Sequence, residues 1–416
     1  MLFLKKNSLL TSESLSATTW KRFKRNKPAM IGLFLIIMAC VISVLGYLIT
    51  PDSTPYANSQ HPELHIKSPG FRINQLRVAK NKLVEESNLF STLLFGREEN
   101  YTALPFYSYK FSGAEIVLEE FTGNEPNNGS ETRYNLADVV YSLQSETKPI
   151  FDSVSNSIRF VDGKSNKELT LSISALQKVV LEKHIETKTY LLGTDLLGRD
   201  LLSRLLIGTR ISLTVGLISV VISIFIGVLL GAAAGYYRGS VDAVISWLIN
   251  VVWSIPTLLL VIAITLVLGK GVTQVFIAVG LTMWVDVARI VRGQVLSLRE
   301  KEFVEAGRAL GYGNARIIIK HILPNVTGPV IVMAAGNFVA AILTEAGLSF
   351  LGIGAQPPVP SWGEMTNAHR GYILMDKAYL AFIPGLAIMT LVLAFMMVGN
   401  GLRDALDTKL SDSKAI

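Results

Sequence analysis

The chain has 416 residues, half of them apolar, with a mean hydropathy of +0.42 and a formal net charge of +7. The apolar excess falls in runs of about 20 residues, which excludes an ordinary water-soluble enzyme and predicts an integral membrane protein. Nor does the positive charge signify nucleic acid. It is gathered beside apolar runs: residues 1–29 hold seven Lys/Arg against Glu13 alone and residues 286–320 hold seven more, while residues 51–207 hold 17 basic and 20 acidic side chains.

In chain order, residues 1–28 form a polar tail containing TTWKRFKRNKP, where Trp20 and Phe23 interleave with cations. That pattern predicts a short interfacial helix, with a plain topogenic charge cluster as the bland alternative. The first span is expected over 29–50, Ala29 to Ile49, as a retained anchor, because the run is too long for the core of a cleaved signal. Cys40, the one cysteine, lies within it and reads as apolar filler.

Residues 51–190 read as an inserted small α+β domain. Alternating strand patterns run from Tyr107 to Phe121 and from Ser157 to Ile173, the latter with Asp162-Gly163 as a hairpin turn. Helical patterns cover 135–144, from an Asn135 cap, and 172–186, and residues 125–130 read as a surface loop. His61, His65 and His184 are too scattered for a metal site, and neither HExxH nor GxSxG occurs, so binding or spacing is expected rather than catalysis.

Five more spans are predicted at Ile211–Gly235, Ala243–Leu268, Val275–Ile290, Val330–Ala346 and Tyr379–Val398. The fold class is therefore an all-α polytopic membrane protein of six transmembrane helices, with the α+β insert between the first two. Placing the basic segments inside puts both termini and the polar loop 291–328 in the cytoplasm and residues 51–207 outside. Gly227, Gly231 and Gly235 recur every four residues, a small-residue face for close helix packing within this subunit or across a subunit interface. Pro256 and Pro384 are expected to kink their helices, and a gating role for those kinks is a hypothesis. Asp242 and Asp286 read as lying toward the cytoplasm and Glu345 toward the outside, which leaves the midplane without charge and disfavours ion coupling.

The polar loop KEFVEAGRALGYGNARIIIKHILPN, Lys301 to Asn325, reads as helix, glycine turn, helix: Gly311 and Gly313 permit the turn, and Pro324 is expected to end the second helix before the next span. Such a loop is a rigid knob for another protein, or else a solvated basic turn. Its spacing resembles the "EAA" loop of ABC importer permeases: Glu305-Ala306-Gly307, three residues, Gly311, nine residues, then His321-Ile322-Leu323-Pro324. Gly307 stands for the second Ala of that pattern and His321 for its Ile. Three further strings, Leu192–Leu213, Gly347–Met365 and Asn400–Leu410, with WKRFKRNKPAMIGLFLI at the front, resemble the dipeptide/oligopeptide branch, C-type subunit. The resemblance covers residues 14–50 and 190–410, so the permease core is taken as 191–410 with a tail at 411–416.

The resemblance implies a type I permease in the cytoplasmic (inner) membrane of a bacterium, with Glu305, Ala306, Gly307, Gly311 and Pro324 in the ATPase-docking loop. It implies as partners a B-type permease homologue, two cytoplasmic ABC ATPases and an extracytoplasmic solute-binding protein. No GxxxxGK[ST] occurs, so ATP and Mg belong to the partner ATPases and this chain is expected to be no enzyme and to bind no cofactor. The implied cargo is di- or oligopeptides. Nickel, antimicrobial peptides, glutathione or oligosaccharides are alternative cargoes, and a membrane-anchored extracytoplasmic binding or sensor module is the alternative from another class. The insert at 51–190 departs from the family pattern and is expected to contact the binding protein or cap the entrance.

Overall fold

The computed structural model describes residues 15–82, 87–123, 127–144 and 149–406. Lys5, Lys6, Glu13, Glu125, Pro126 and the tail at 411–416 lie outside the described residues.

Helix α1 (Leu15–Arg25) carries the tryptophan-cation pattern. It buries Phe23 against Ala29 and Ala405 and leaves Trp20 half exposed, with the Lys24 ammonium 5.1 Å from its ring. Helix α2 (Lys27–Ile49) starts where the Asn26 side chain accepts from the Ala29 N–H and Pro28 occupies the first turn, where its missing N–H costs nothing.

The insert follows, built on β1 (Phe71–Ala79), α3 (Leu89–Phe95), β2 (Tyr101–Ser112), β3 (Glu115–Glu120), β4 (Glu131–Asn135), α4 (Leu136–Val140), β5 (Ile150–Asp152), β6 (Ser157–Asp162), β7 (Lys167–Ser172), α5 (Ile173–Val179) and β8 (Ile185–Tyr190). An antiparallel five-stranded sheet in the order β4-β3-β2-β1-β8 and a three-stranded one, β5-β6-β7, enclose a core of Leu76, Phe106, Ile116, Leu136, Ile158 and Leu176. The β6–β7 connection is longer than a two-residue turn. The Asp162 carboxylate accepts from the N–H groups of Lys164 and Ser165, and Asn166 takes the left-handed conformation. The expected helix at 135–144 stops at Val140, and the chain leaves it in extended conformation at Tyr141.

Beyond the insert lie α6 (Leu201–Tyr237), α7 (Gly239–Trp253), α8 (Thr257–Leu268), α9 (Val272–Leu298), α10 (Glu302–Ala309), α11 (Asn314–Ile317), α12 (Leu323–Phe350), α13 (Trp362–Ala368) and α14 (Tyr379–Leu406). Among the described residues, five helices are long and apolar enough to cross a membrane: α2, α6, α9, α14 and the continuous run Asn314–Phe350. Helices α7 and α8 pass that test only together, bent by 91° at a break. The expected kinked span Ala243–Leu268 is thus two helices. Pro256 has no N–H to donate and disfavours helical geometry at Ile255, so α7 is capped at Ser254, and Pro256, at ψ 122, stands outside both helices.

The fourth span also differs from expectation, because α9 runs on to Leu298. Val287, Val291 and Val295 recur at helical spacing and stay buried past the charged residues, so packing rather than hydropathy sets its end. Asp286 consequently lies near the middle of α9, not at an inner end.

Insert and polar knob sit at opposite ends of α6. At its start, the Asp52 N–H donates to Ser203 Oγ, and the segment 58–67 is tied to 194–199 by His61 N–H to Leu197 O and Ile66 N–H to Asp195 O. At its end, the Tyr236 hydroxyl donates to Asn314 Oδ1 at 2.9 Å.

Candidate functional site

The knob is assembled from local rules. Helix α10 ends in paired backbone bonds, Tyr312 N–H to Gly307 O at 3.0 Å and Gly311 N–H to Arg308 O at 2.9 Å. This is the Schellman arrangement, with Gly311 at φ +76 in the left-handed position that glycine takes without strain. At Gly307 an added Cβ would meet only ordinary contacts, 3.6 Å to the Tyr312 ring and 3.8 Å to Ile317. Alanine fits there, so the glycine standing in the place of the second Ala leaves the geometry intact. Arg316 lies 4.0 Å over the Tyr312 ring, and His321 stacks on the same ring.

One face of this unit is buried and the other free. Val304, Ile317, Ile322 and Val326 pack with Ala232 and Tyr236 of α6 and with Val287, Val291 and Val295 of α9. Arg299 secures the corner by donating to the Tyr236 carbonyl at 2.6 Å. Outward stand Phe303, Leu310 at 69% exposure and Ile319 at 62%, with Glu305, Ala306 and Arg308 exposed among them. Among the described residues Glu305 has no ion pair; it sits in the first turn of α10, where a carboxylate favours the helix dipole. An exposed apolar cluster ringed by charge on a seated knob is the chemistry of a protein interface.

Pro324, expected to end the second helix, does not do so. Helix runs from Asn314 through Phe350, and a π-helical turn, Ile318–Ile322, precedes the proline, with the Leu323 N–H reaching Ile318 O. Proline then falls in the first turn of α12, where its missing N–H is tolerated. The knob is therefore continuous with a 37-residue helix.

Other predicted residues fall elsewhere. Gly227, Gly231 and Gly235 face α9 within this chain: a Cβ on Gly231 would lie 2.5 Å from Ala288 O, and one on Gly227 2.5 Å from Val287 Cβ. Pro384 is buried inside an unbroken α14, in contrast with Pro256. Asp242 is gripped by the Arg292 fork at 2.5 and 2.7 Å, joining α7 to α9. Glu345 is buried near the end of α12 and accepts from the Ser349 hydroxyl at 2.7 Å.

Sequence reasoning assigned no role to a buried ionic network at the insert end of α6. Arg204, 1% exposed, reaches Asp195 at 3.5 Å and Glu364 at 3.3 Å, and donates to Pro358 O. Arg199 pairs with Asp195 at 2.7 Å and reaches Asn58. Burial holds the Glu364 carboxyl above its ordinary range, against the opposing pull of Arg204 and Arg199. The network fastens three distant segments: the base of the insert, the start of α6 and the start of α13. Its signal in the sequence is the pair Asp195 and Arg199, four apart. Arg204→Met leaves the buried Glu364 carboxyl without its ion-pair partner, Asp195 keeping Arg199, and we expect a loss of about 3–5 kcal/mol. The check is the thermal midpoint in detergent; a midpoint equal to wild type would remove the network from the account.

The family described as "Binding-protein-dependent transport system inner membrane component" matches residues 227–412, and "N-terminal TM domain of oligopeptide transport permease C" matches residues 14–65. Residues 66–226 lie between the two matches. The glutathione transport system permease protein GsiD of Pectobacterium atrosepticum is 42% identical over 206 residues, 50% of this chain and 68% of that protein. The dipeptide transport system permease protein DppC of Alkalihalophilus pseudofirmus is 44% identical over 203 residues, 49% of this chain and 66% of its own length. The di/tripeptide transport system permease protein DppC of Pseudomonas aeruginosa is 44% identical over 225 residues, 54% and 74%. The match thus spans about two thirds to three quarters of each relative.

Proposed function

Because this chain belongs to the binding-protein-dependent inner membrane permeases, in the C-type branch of the dipeptide/oligopeptide importers, we propose that it is half of the membrane pathway of an ABC importer for small peptides. The family carries the type I permease fold, and the chain is a multi-pass inner membrane protein. The relatives are named for dipeptides, di/tripeptides and glutathione, itself a tripeptide, which supports peptides as the cargo class.

The observation that carries this reading is the seated knob with its free apolar face. In it, two cytoplasmic ATPases hold the knobs of this chain and of a B-type homologue, and a solute-binding protein delivers the peptide from the other side. ATP and Mg stay on the ATPases; this chain contributes no cofactor and no chemistry. Closure of the ATPases pushes on α10 and α11. Since α11 is continuous with α12, the push moves a whole helix rather than dissipating in a hinge.

Six spans follow if α7 and α8 count as one. Both termini and the knob are then cytoplasmic, and residues 51–207 are extracytoplasmic. The insert then meets the binding protein or caps the entrance. Deleting residues 60–185 with a short linker is expected to lower uptake at least about tenfold at limiting binding protein; unchanged uptake and unchanged binding-protein affinity would sink that role.

The function itself is tested by uptake of labelled dialanine in cells stripped of their own peptide importers and given this chain with its partner subunits. ATP-dependent accumulation is expected. Accumulation of nickel or an oligosaccharide without dialanine would change the cargo. Uptake that survives ATP depletion on an ion gradient would overturn the mechanism, and a chain that never retains an ATPase would fit the sensor module instead.

A further inference from the structure

Beside the break at Ser254–Pro256 lies a cavity of about 250 Å³ between α7, α8, α9 and α12. Its polar wall consists of Thr257, Thr282, Asp286, Asn337 and Thr344, with Trp253 at one side. Asp286 is exposed into this space from the middle of α9, and among the described residues it has neither an ion pair nor a hydrogen bond. Arg289, one turn further on, stands over the Trp253 ring at the side of the cavity, its guanidinium 3.9 Å from the ring, and makes no ion pair with Asp286. A carboxylate held in a membrane span without a partner is costly unless water or a cation meets it, so its presence calls for a ligand of opposite charge.

The neighbouring polar groups agree in sign. The Asn337 amide donates to Ser223 Oγ at 3.3 Å, which leaves its carbonyl oxygen to accept. The Thr282 hydroxyl donates to the Val279 carbonyl at 2.9 Å, which leaves its lone pairs to accept. Thr282 and Asp286 are four residues apart on α9 and so share one face. The wall therefore offers a formal negative charge and acceptor oxygens on Asn337 and Thr282, with the Thr282 O–H and one Asn337 N–H already engaged elsewhere. A ligand suited to it carries several N–H donors and a positive charge on a compact head: a primary ammonium.

We propose that this cavity receives the free α-ammonium end of the transported peptide, with Asp286 as counter-charge and Asn337 and Thr282 as acceptors. The proposal rests on the peptide-importer reading and deepens it. Carbonyls and hydroxyls with one carboxylate match an ammonium better than a transition metal, and no group of three metal-ligating side chains exists among the described residues.

The test is uptake of labelled dialanine by the full complex, with the membrane level of this chain and ATPase co-purification measured alongside. Asp286→Asn is expected to cut the maximal rate at least about tenfold at wild-type level and wild-type ATPase yield. Asp286→Glu, which keeps the charge, is expected to stay within about threefold. Wild-type rates in Asp286→Asn overturn the ammonium site and leave the importer reading standing. Equal loss in Asn and Glu variants assigns the position to packing and also overturns it. Failure of the wild type to take up dialanine defeats the importer reading, and the site falls with it.

Discussion

Glu305→Lys abolishes uptake, to below about 5% of wild type, while the protein remains in the membrane at its normal level. The two halves of that expectation have separate causes. Glu305 is exposed and has no ion pair among the described residues, so reversing it costs the fold little, within about 0.5 kcal/mol for a surface position. It shares the exposed surface of the knob with Phe303, Ala306 and Leu310, the cluster that the proposed docking would place against an ATPase. Reversing a charge at the edge of a desolvated apolar contact costs about 2–5 kcal/mol, or roughly 30- to 5,000-fold in affinity. Transport and ATPase co-purification both fall. Normal uptake with normal ATPase yield would take Glu305 out of the interface.

Gly231→Leu removes the protein from the membrane rather than its docking. Helix α6 lies so close on α9 that a Cβ at Gly231 would come within 2.5 Å of Ala288 O and 2.9 Å of Val291 Cβ. The backbone oxygen cannot move aside as a flexible side chain would. Gly227 and Gly235 meet α9 at 2.5 and 2.8 Å on the same face, so the whole seam must part to admit one leucine. In lipid the glycine stretch of that seam is held mainly by van der Waals contact, which a gap of an ångström forfeits in large part. The damage spreads, because Val287, Val291 and Val295 on the same stretch of α9 seat the knob. A drop in membrane level of several-fold is expected by immunoblot, with any residual protein inactive. Wild-type level and uptake would show that the seam tolerates separation.

How far the sequence carries these conclusions depends on what each segment answers to. The knob was legible because its requirements are local: a glycine at the left-handed position, a carboxylate in the first turn and apolar residues at helical spacing. Asn135, which accepts from the Ala137 N–H, and the Ser157–Ile173 hairpin were legible for the same reason. The end of α9 was not, since hydropathy falls at Asp286 while burial against α6 continues to Val295. That misplacement also hid Asp286 as a mid-helix charge. Pro256 and Pro384 look alike in sequence, yet one breaks its helix by 91° and the other sits in an unbroken one, a difference set by tertiary packing. The Arg204 network stayed invisible because its partners are up to 160 residues apart, and nothing local distinguishes a buried arginine from one at a membrane surface. Pro324 misled because a π-helical turn before it makes room for the missing N–H.

The knob can be addressed chemically with little disturbance, since Cys40 is the single cysteine in the chain and Leu310 is among its most exposed knob residues. Replacing Cys40 by serine and Leu310 by cysteine leaves one thiol at the proposed contact. Treating inner membranes that contain the whole complex with a short bifunctional cross-linker then reports directly what the knob touches. The account predicts a product whose mass is that of this chain plus one ATPase subunit, identified by peptides from both and absent in the Cys40→Ser parent. Recovery of the chain uncross-linked, in membranes where uptake is active, would contradict it.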